Sequence, residues 1–121
     1  MANLIELTPF QPVQATAATT KQAVYDAAEV LGYDALDLQL GVVQYATFTN
    51  ATFTIETSMQ NELDDESWKT VATFTAVTTA PTYEIKSVDK GFLRYVRWKV
   101  VTTGGAGSLH FWIRGIGRRY A

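Results

Sequence analysis

One stretch of the sequence constrains the fold more than any other: residues 92 to 103, FLRYVRWKVVTT. Alternate side chains of a β-strand point to opposite sides of its sheet. One side of this stretch carries Phe92, Val96, Trp98 and Val100 with Arg94 among them, and the other carries Leu93, Tyr95, Arg97, Lys99 and Val101. A side of a sheet with this many apolar residues needs a second layer to cover it. We expect the cationic stems to lie over the other side of the sheet.

The remaining segments also favour strands. Alternation of apolar and polar residues predicts strands over 35–44, 49–57, 82–88 and 108–117, and a further strand begins at Trp68. In 108–117, Leu109, Phe111 and Ile113 alternate with His110, Trp112 and Arg114, so both sides of that strand need a cover. We expect about eight strands in an all-β, two-sheet antiparallel β-sandwich of the jelly-roll type.

Two segments need a more detailed interpretation. Residues 13–26 favour two short strands, 13–19 and 21–26, followed by a loop over 27–34, although Val24, Ala27, Ala28 and Leu31 also have helical spacing. Residues 58–67 are polar and acidic, which predicts a hairpin loop between two antiparallel strands. The spacing of Trp68, Val71 and Phe74 breaks a period of two, so we expect a bulge near Thr70.

The N-terminal residues 1–12 contain Leu4, Ile5, Leu7 and Phe10 but also two prolines, Pro9 and Pro12. Proline cannot donate to a strand ladder, so the segment is either an edge strand on its own domain or an extended arm that lies on a neighbouring subunit. Residues 13–121 are expected to form one β-sandwich domain, because 121 residues suffice for one core.

Charge and composition exclude several functional classes. The net charge of −2 gives no basic field for nucleic acid, and no apolar run is long enough for a membrane-spanning helix, so we expect neither partner. The chain contains no cysteine, which excludes disulfides and cysteine zinc sites. The N-terminus lacks the features of a secretion signal, so the protein is expected to be made, and to assemble, in the cytoplasm of its cell.

No pattern in the sequence predicts a catalytic, cofactor-binding or metal-binding residue. His110 is the single histidine, and we interpret it as a structural strand residue. The acidic stretch 61–66, NELDDE, lacks the spacing of a calcium loop and is interpreted as a solvated loop tip. The protein is therefore predicted not to be an enzyme and to need no cofactor.

The two ends of the chain are the best candidates for a partner interface. The C-terminal residues IRGIGRRYA concentrate arginine and tyrosine, which are favoured at interfaces, although a charged tail in solvent is an equal alternative. Pairing with the acidic stretch 61–66 of another copy would guide assembly. The predicted interface residues are Leu4, Ile5, Leu7, Phe10, Trp112, Arg114, Arg118, Arg119 and Tyr120.

Two resemblances add to this reading. Ile55, Glu56 and Ser58, then Trp68, then the run Arg94 to Arg97 (RYVR) resemble motifs of discoidin-like, or galactose-binding-like, jelly-roll domains. The wider pattern, with LDLQLGV, IETS, FLRYVRWKV and an arginine-rich end, is similar to small virion proteins of tailed bacteriophages. The absence of cysteine departs from extracellular discoidin domains, whose terminal disulfide cannot form here.

The second resemblance implies a capsid accessory or decoration subunit that binds the phage head and has no catalytic activity. Its implied partners are the major capsid protein or another virion protein and further copies of itself, with a trimer favoured, and its implied location is the virion, assembled in the host cytoplasm. A neck or tail position would suit the same fold. The alternative is a carbohydrate-binding module of the discoidin type, in which Trp68, Tyr83 and Trp112 would stack on sugar rings.

Overall fold

A computed structural model describes residues 2–8, 13–15, 19–23, 26–60, 65–104 and 107–119. These residues form two antiparallel sheets, which confirms the predicted β-sandwich. Ten strands are formed instead of about eight, because the described N-terminal part contributes short pieces. They are β1 (Ala2–Glu6), β2 (Val13–Ala15), β3 (Thr19–Lys21), β4 (Ala28–Glu29), β5 (Ala35–Ala46), β6 (Asn50–Ser58), β7 (Lys69–Thr73), β8 (Thr82–Val88), β9 (Tyr95–Thr103) and β10 (Ser108–Arg118).

Each sheet has one long central pair and an edge supplied by the N-terminal part of the chain. Sheet A has the strand order β1-β10-β5-β8, and β2 also pairs with β10. Sheet B has the order β3-β9-β6-β7, and β4 also pairs with β9. The chain therefore passes from sheet A to sheet B between β2 and β3, and the strands β1 to β4 line one side of the sandwich.

The stretch 92–103 forms the centre of sheet B, with one correction to its start. Val96, Trp98 and Val100 are buried in the core as predicted. The strand begins at Tyr95, not at Phe92. Before it, the Leu93 amide donates a hydrogen bond to the Thr57 hydroxyl, and the Arg94 carbonyl accepts one from the Val30 amide. Arg94 is therefore outside the strand, where its guanidinium lies 3.5 Å from the Glu29 carboxylate.

Three aromatic rings join the two sheets inside the core. The Phe111 ring of sheet A packs with its centroid 4.9 Å from the rings of both Phe53 and Trp98, which belong to sheet B. The Trp98 indole Nε1 also donates a 3.0 Å hydrogen bond to the carbonyl oxygen of Leu7, just beyond β1. Trp98 therefore ties sheet B to the edge of sheet A through both apolar and polar contacts.

The N-terminal segment is an edge strand over its described part. β1 pairs with β10 from Ala2 opposite Arg118 to Glu6 opposite Arg114. Ile5 and Leu7 are buried in the core, and the Thr8 hydroxyl accepts a hydrogen bond from the Ile113 amide. Ala2–Glu6 thus form an edge strand of sheet A within the chain. Phe10 lies outside the described residues.

The edge strands β7 and β8 lie on the side of the sandwich away from β1 to β4. β7 carries an irregularity, and β8 carries charged residues on its inner side. In β7, the register with β6 shifts so that Ile55 faces Ala72 and Glu56 faces Thr70, which leaves Val71 as a bulge beside the predicted position. In β8, Glu84 and Lys86 lie opposite the core residues Leu40 and Leu38. Charges that point inward on an edge strand discourage pairing with a strand of another molecule.

The hydrogen bond between Trp98 and Leu7 gives a first prediction. Substituting Trp98→Phe keeps an aromatic ring but leaves the buried Leu7 carbonyl without its donor, so we expect a loss of about 1–3 kcal/mol in the free energy of unfolding. Urea denaturation measures this change. Trp112→Phe, a matched substitution on the outer surface, should change the free energy by less than about 0.5 kcal/mol. Equal effects of the two substitutions would contradict the role given to Trp98.

Candidate functional site

The outer side of sheet A carries apolar and aromatic side chains that are exposed or only partly buried. The strand register arranges the residues of this side in three rows: Tyr83, Gly41 and Trp112; Ile85, Gln39, Arg114 and Glu6; Ser87, Asp37, Ile116 and Leu4. Leu4, Ile85 and Tyr83 are 69%, 67% and 56% exposed. We call this surface the aromatic face and define it by Leu4, Tyr83, Ile85, Trp112, Arg114 and Ile116.

A glycine sets the geometry of the first row. A Cβ atom at Gly41 would lie 2.4 Å from the Trp112 ring, so the indole rests directly on the backbone of β5. The Tyr83 and Trp112 ring centroids are 6.2 Å apart with the planes tilted by 43°. The Arg114 guanidinium lies 5.1 Å from the Trp112 ring centroid on the other side. Aromatic rings and an arginine packed in this way are typical of binding hot spots.

Beside Trp112 the aromatic face sinks into a shallow hollow of about 300 Å³. Leu4, Ile85 and Ile116 give it apolar walls, and Asp37, Gln39 and Arg114 contribute polar atoms. Asp37 accepts hydrogen bonds from Ser87 and Arg118. These two hydrogen bonds hold the pKa of the Asp37 carboxyl below its usual value, and the bond from Ser87 has the larger effect.

The structure brings three of the predicted interface residues together and separates the others. Leu4, Trp112 and Arg114 lie on the aromatic face. Ile5 and Leu7 are core residues of their own chain, because β1 turns these two side chains inward, so they cannot form a partner interface.

Of the other four predicted interface residues, the structure describes only Arg118 and Arg119. Arg118 is bonded to Asp37, and the Arg119 guanidinium lies 5.4 Å from the Tyr33 ring centroid. Phe10 and Tyr120 lie outside the described residues. Sequence reasoning missed Ile85 and Ile116. The signal for Ile85 was its position on the same side of β8 as Tyr83, opposite the charged Glu84 and Lys86.

The outer side of sheet B is different, because the turn before β7 covers its centre. Arg97 is only 2% exposed, and its guanidinium lies 4.5 Å from the Trp68 ring centroid. Its Nε donates to Glu56 at 2.9 Å, and its Nη1 lies 3.1 Å from an Asp65 oxygen. Arg97 lies over the outer side of sheet B, as expected, but the chain itself encloses it there with two carboxylates and an indole.

The same cluster changes the interpretation of the acidic stretch. Asp65 also accepts a hydrogen bond of 3.1 Å from Lys21, and the bonds from Lys21 and Arg97 lower the pKa of its carboxyl. Asp65 is thus bonded within its own chain while its side chain is 55% exposed, and its pairing with an arginine tail of another copy stays a prediction. Residues 61–64 of the stretch lie outside the described residues. Trp68, only 4% exposed, cannot stack on a sugar ring.

Across the described ranges, no group of three or more histidine, cysteine, aspartate or glutamate side chains is placed to hold a metal ion. Within the same ranges, no helix is long and apolar enough to cross a membrane. His110 lies in β10 opposite Gln44 and Gln14.

Comparison with known proteins identifies the fold. No protein-family model and no curated protein matches the sequence. Among solved structures, the PBSX exported protein XepA is 20% identical with a TM-score of 0.62, over 98% of this chain and 38% of XepA. The chain thus spans well under half of XepA.

Two further structures are similar over most of both chains. One is a structure of Bacillus endospore appendages, which form a family of disulfide-linked pili. It is 16% identical with a TM-score of 0.52, over 99% of this chain and 88% of that one. A carbohydrate-binding module of Cellvibrio mixtus lichenase 5A, in complex with cellotriose, is 11% identical with a TM-score of 0.50, over 98% of each chain. These likenesses show a β-sandwich shared with structural and binding proteins.

The enclosed Arg97 gives a second prediction. Substituting Arg97→Met leaves the buried Glu56 carboxylate without its counter-charge, so we expect a loss of about 3–5 kcal/mol in the free energy of unfolding. The double substitution Arg97→Met with Glu56→Gln should recover part of that loss. Lys99→Met, two residues along the same side of β9, should have little effect when all are measured by urea denaturation. If Lys99→Met lowers the free energy of unfolding as much as Arg97→Met does, the contacts of Arg97 with Glu56, Asp65 and Trp68 are not the cause of the loss.

Proposed function

We propose that the protein is a non-enzymatic structural subunit of a phage particle that binds a virion protein, the major capsid protein in the first place, through the aromatic face. The observation that carries this proposal is the uncovered apolar row of Tyr83 and Trp112 with Ile85 and Leu4 beside it. An exposed apolar patch of this kind, rimmed by polar residues, is often a functional surface. The fold shared with XepA, an exported protein, and with the pili of Bacillus endospore appendages supports a virion or other extracellular assembly.

The size of the aromatic face indicates what kind of binding it supports. Four strands about 4.8 Å apart and three rows about 6.8 Å apart give a surface of roughly 400 Å². A standard interface covers about 800 Å² on each partner. The face alone is therefore suited to a weak contact, which many copies on one particle would strengthen through avidity. A homo-oligomer, with a trimer favoured, would present several copies of the aromatic face at once.

Sedimentation with phage heads that lack the protein tests this proposal. Substituting Ile85→Glu places a charge in the middle of the aromatic face, so we expect at least a tenfold loss of head binding. Val101→Glu is the matched control, because Val101 is exposed on the outer side of sheet B. Light scattering should give the mass of an oligomer for all three proteins. Failure of the wild type to sediment with heads, or equal binding by Ile85→Glu, would refute the assignment.

A carbohydrate-binding module is the second candidate, and the Tyr83–Trp112 pair is the observation that favours it. Two neighbouring rings on a flat sheet can stack on sugar rings, and the similar Cellvibrio module was solved with cellotriose. If this reading is correct, a glycan array should give hits that Trp112→Ala removes while Val101→Glu retains them. An array without hits, or binding that Trp112→Ala leaves unchanged, would exclude sugar binding at this face.

A further inference from the structure

A second concave site lies on the side of the sandwich where the N-terminal segment closes both sheets. It is a cleft of about 440 Å³, which falls within the range of ligand-binding sites. The cleft opens between the end of β1 on sheet A and the end of β3 on sheet B. Leu7 and Trp98 form an apolar floor, and Glu6, Lys21, Gln22 and Asp26 surround it. It shares no residue with the aromatic face, and we call it the side cleft.

The buried amide of Gln22 supplies directional polar atoms in the side cleft. Gln22 is only 7% exposed, and its Oε1 accepts a 3.1 Å hydrogen bond from the Trp98 amide. Its Nε2 donates a 2.8 Å hydrogen bond to the Asp26 carbonyl. A glutamine amide has two N–H donors and two acceptor lone pairs, so one of each is left for a ligand. The two bonds also fix the orientation of the amide before any ligand arrives.

The charge around the side cleft is negative. Lys21 is engaged by the Asp65 carboxylate at 3.1 Å, so its charge is already compensated. Neither Glu6 nor Asp26 has an ion-pair partner among the described residues. Two carboxylates over an apolar floor therefore favour a cation that carries a hydrocarbon stem.

We propose that the side cleft binds the side chain of a lysine presented by a partner protein. The four methylene groups of the lysine would lie against Leu7 and Trp98, and its ammonium would donate to the carboxylates of Glu6 and Asp26 and to the remaining lone pair of Gln22. The ammonium is a compact cation with three donors, and Glu6, Gln22 and Asp26, which all line the cleft, offer acceptor oxygens to it. This site would add a charged contact to the apolar contact proposed for the aromatic face.

The experiment is an NMR titration of the intact protein with N-acetyl-lysine methylamide, a single lysine without a charged backbone. The signals to follow are the Trp98 indole N–H and the Gln22 side-chain amide. We expect saturable shifts of both signals. The neutral norleucine analogue and butylammonium separate the parts of the ligand: butylammonium should shift the same signals, whereas norleucine should not.

A double substitution tests the charges. Glu6→Gln with Asp26→Asn keeps the shapes of both side chains but removes their charges, so the dissociation constant should rise at least fivefold. Asp89→Asn, which removes an exposed carboxylate between β8 and β9, is the control and should bind as the wild type does. Higher salt should weaken binding by the wild type.

Four outcomes would overturn the proposal: no shift of the two signals, equal shifts with norleucine, unchanged binding by the double variant, or an equal loss in Asp89→Asn. Glucose is tested at the same concentrations. If glucose shifts the two signals and the lysine compound does not, the cleft is a site for neutral hydroxyl-rich ligands and the lysine proposal is refuted. Binding to phage heads is measured separately through Ile85→Glu, so either proposal can fail alone.

Discussion

The hydrogen bond from the Trp98 indole to the Leu7 carbonyl is the contact on which the arrangement of the two sheets depends. It joins the central strand of sheet B to the segment that forms the edge of sheet A, while the same ring packs on Phe111. Gln22 holds the backbone of Trp98 on its other side through both its amide nitrogen and its side chain. One residue thus fixes the spacing of the sheets, the position of the N-terminal segment and the floor of the side cleft.

The two outer surfaces of the sandwich have opposite designs. On sheet B, the turn at Asp65–Ser67 and Trp68 close over Arg97, so the centre of that surface is already occupied by the chain itself. On sheet A, Gly41 removes a side chain from the middle of the surface and lets Trp112 lie flat beside Tyr83. The chain covers one surface and leaves the other available, which is why binding is assigned to sheet A.

Much of the fold could be predicted from local alternation, but the site could not. Val96, Trp98 and Val100 were predictable as core residues because a period of two fixes which side chains share a side. The burial of Arg97 was not, because it depends on Trp68, which is 29 positions away in sequence and approaches only once β6 and β7 have paired. Likewise, the burial of Ile5 and Leu7 depends on the pairing of β1 with β10, which local alternation does not predict. The exposure of Ile85 follows from the position of β8 at the edge of the sheet with its charged residues inward.

The pairing of the first strands with the last ones has a consequence for the order in which the protein folds. In the described structure, β1 and β2 pair with β10, and β3 and β4 pair with β9, so contacts such as that of Ala2 with Arg118 span almost the whole chain. Contacts this distant in sequence slow folding. During synthesis, the N-terminal segment leaves the ribosome long before its partners exist, and the sandwich can close only when the final strand has been released.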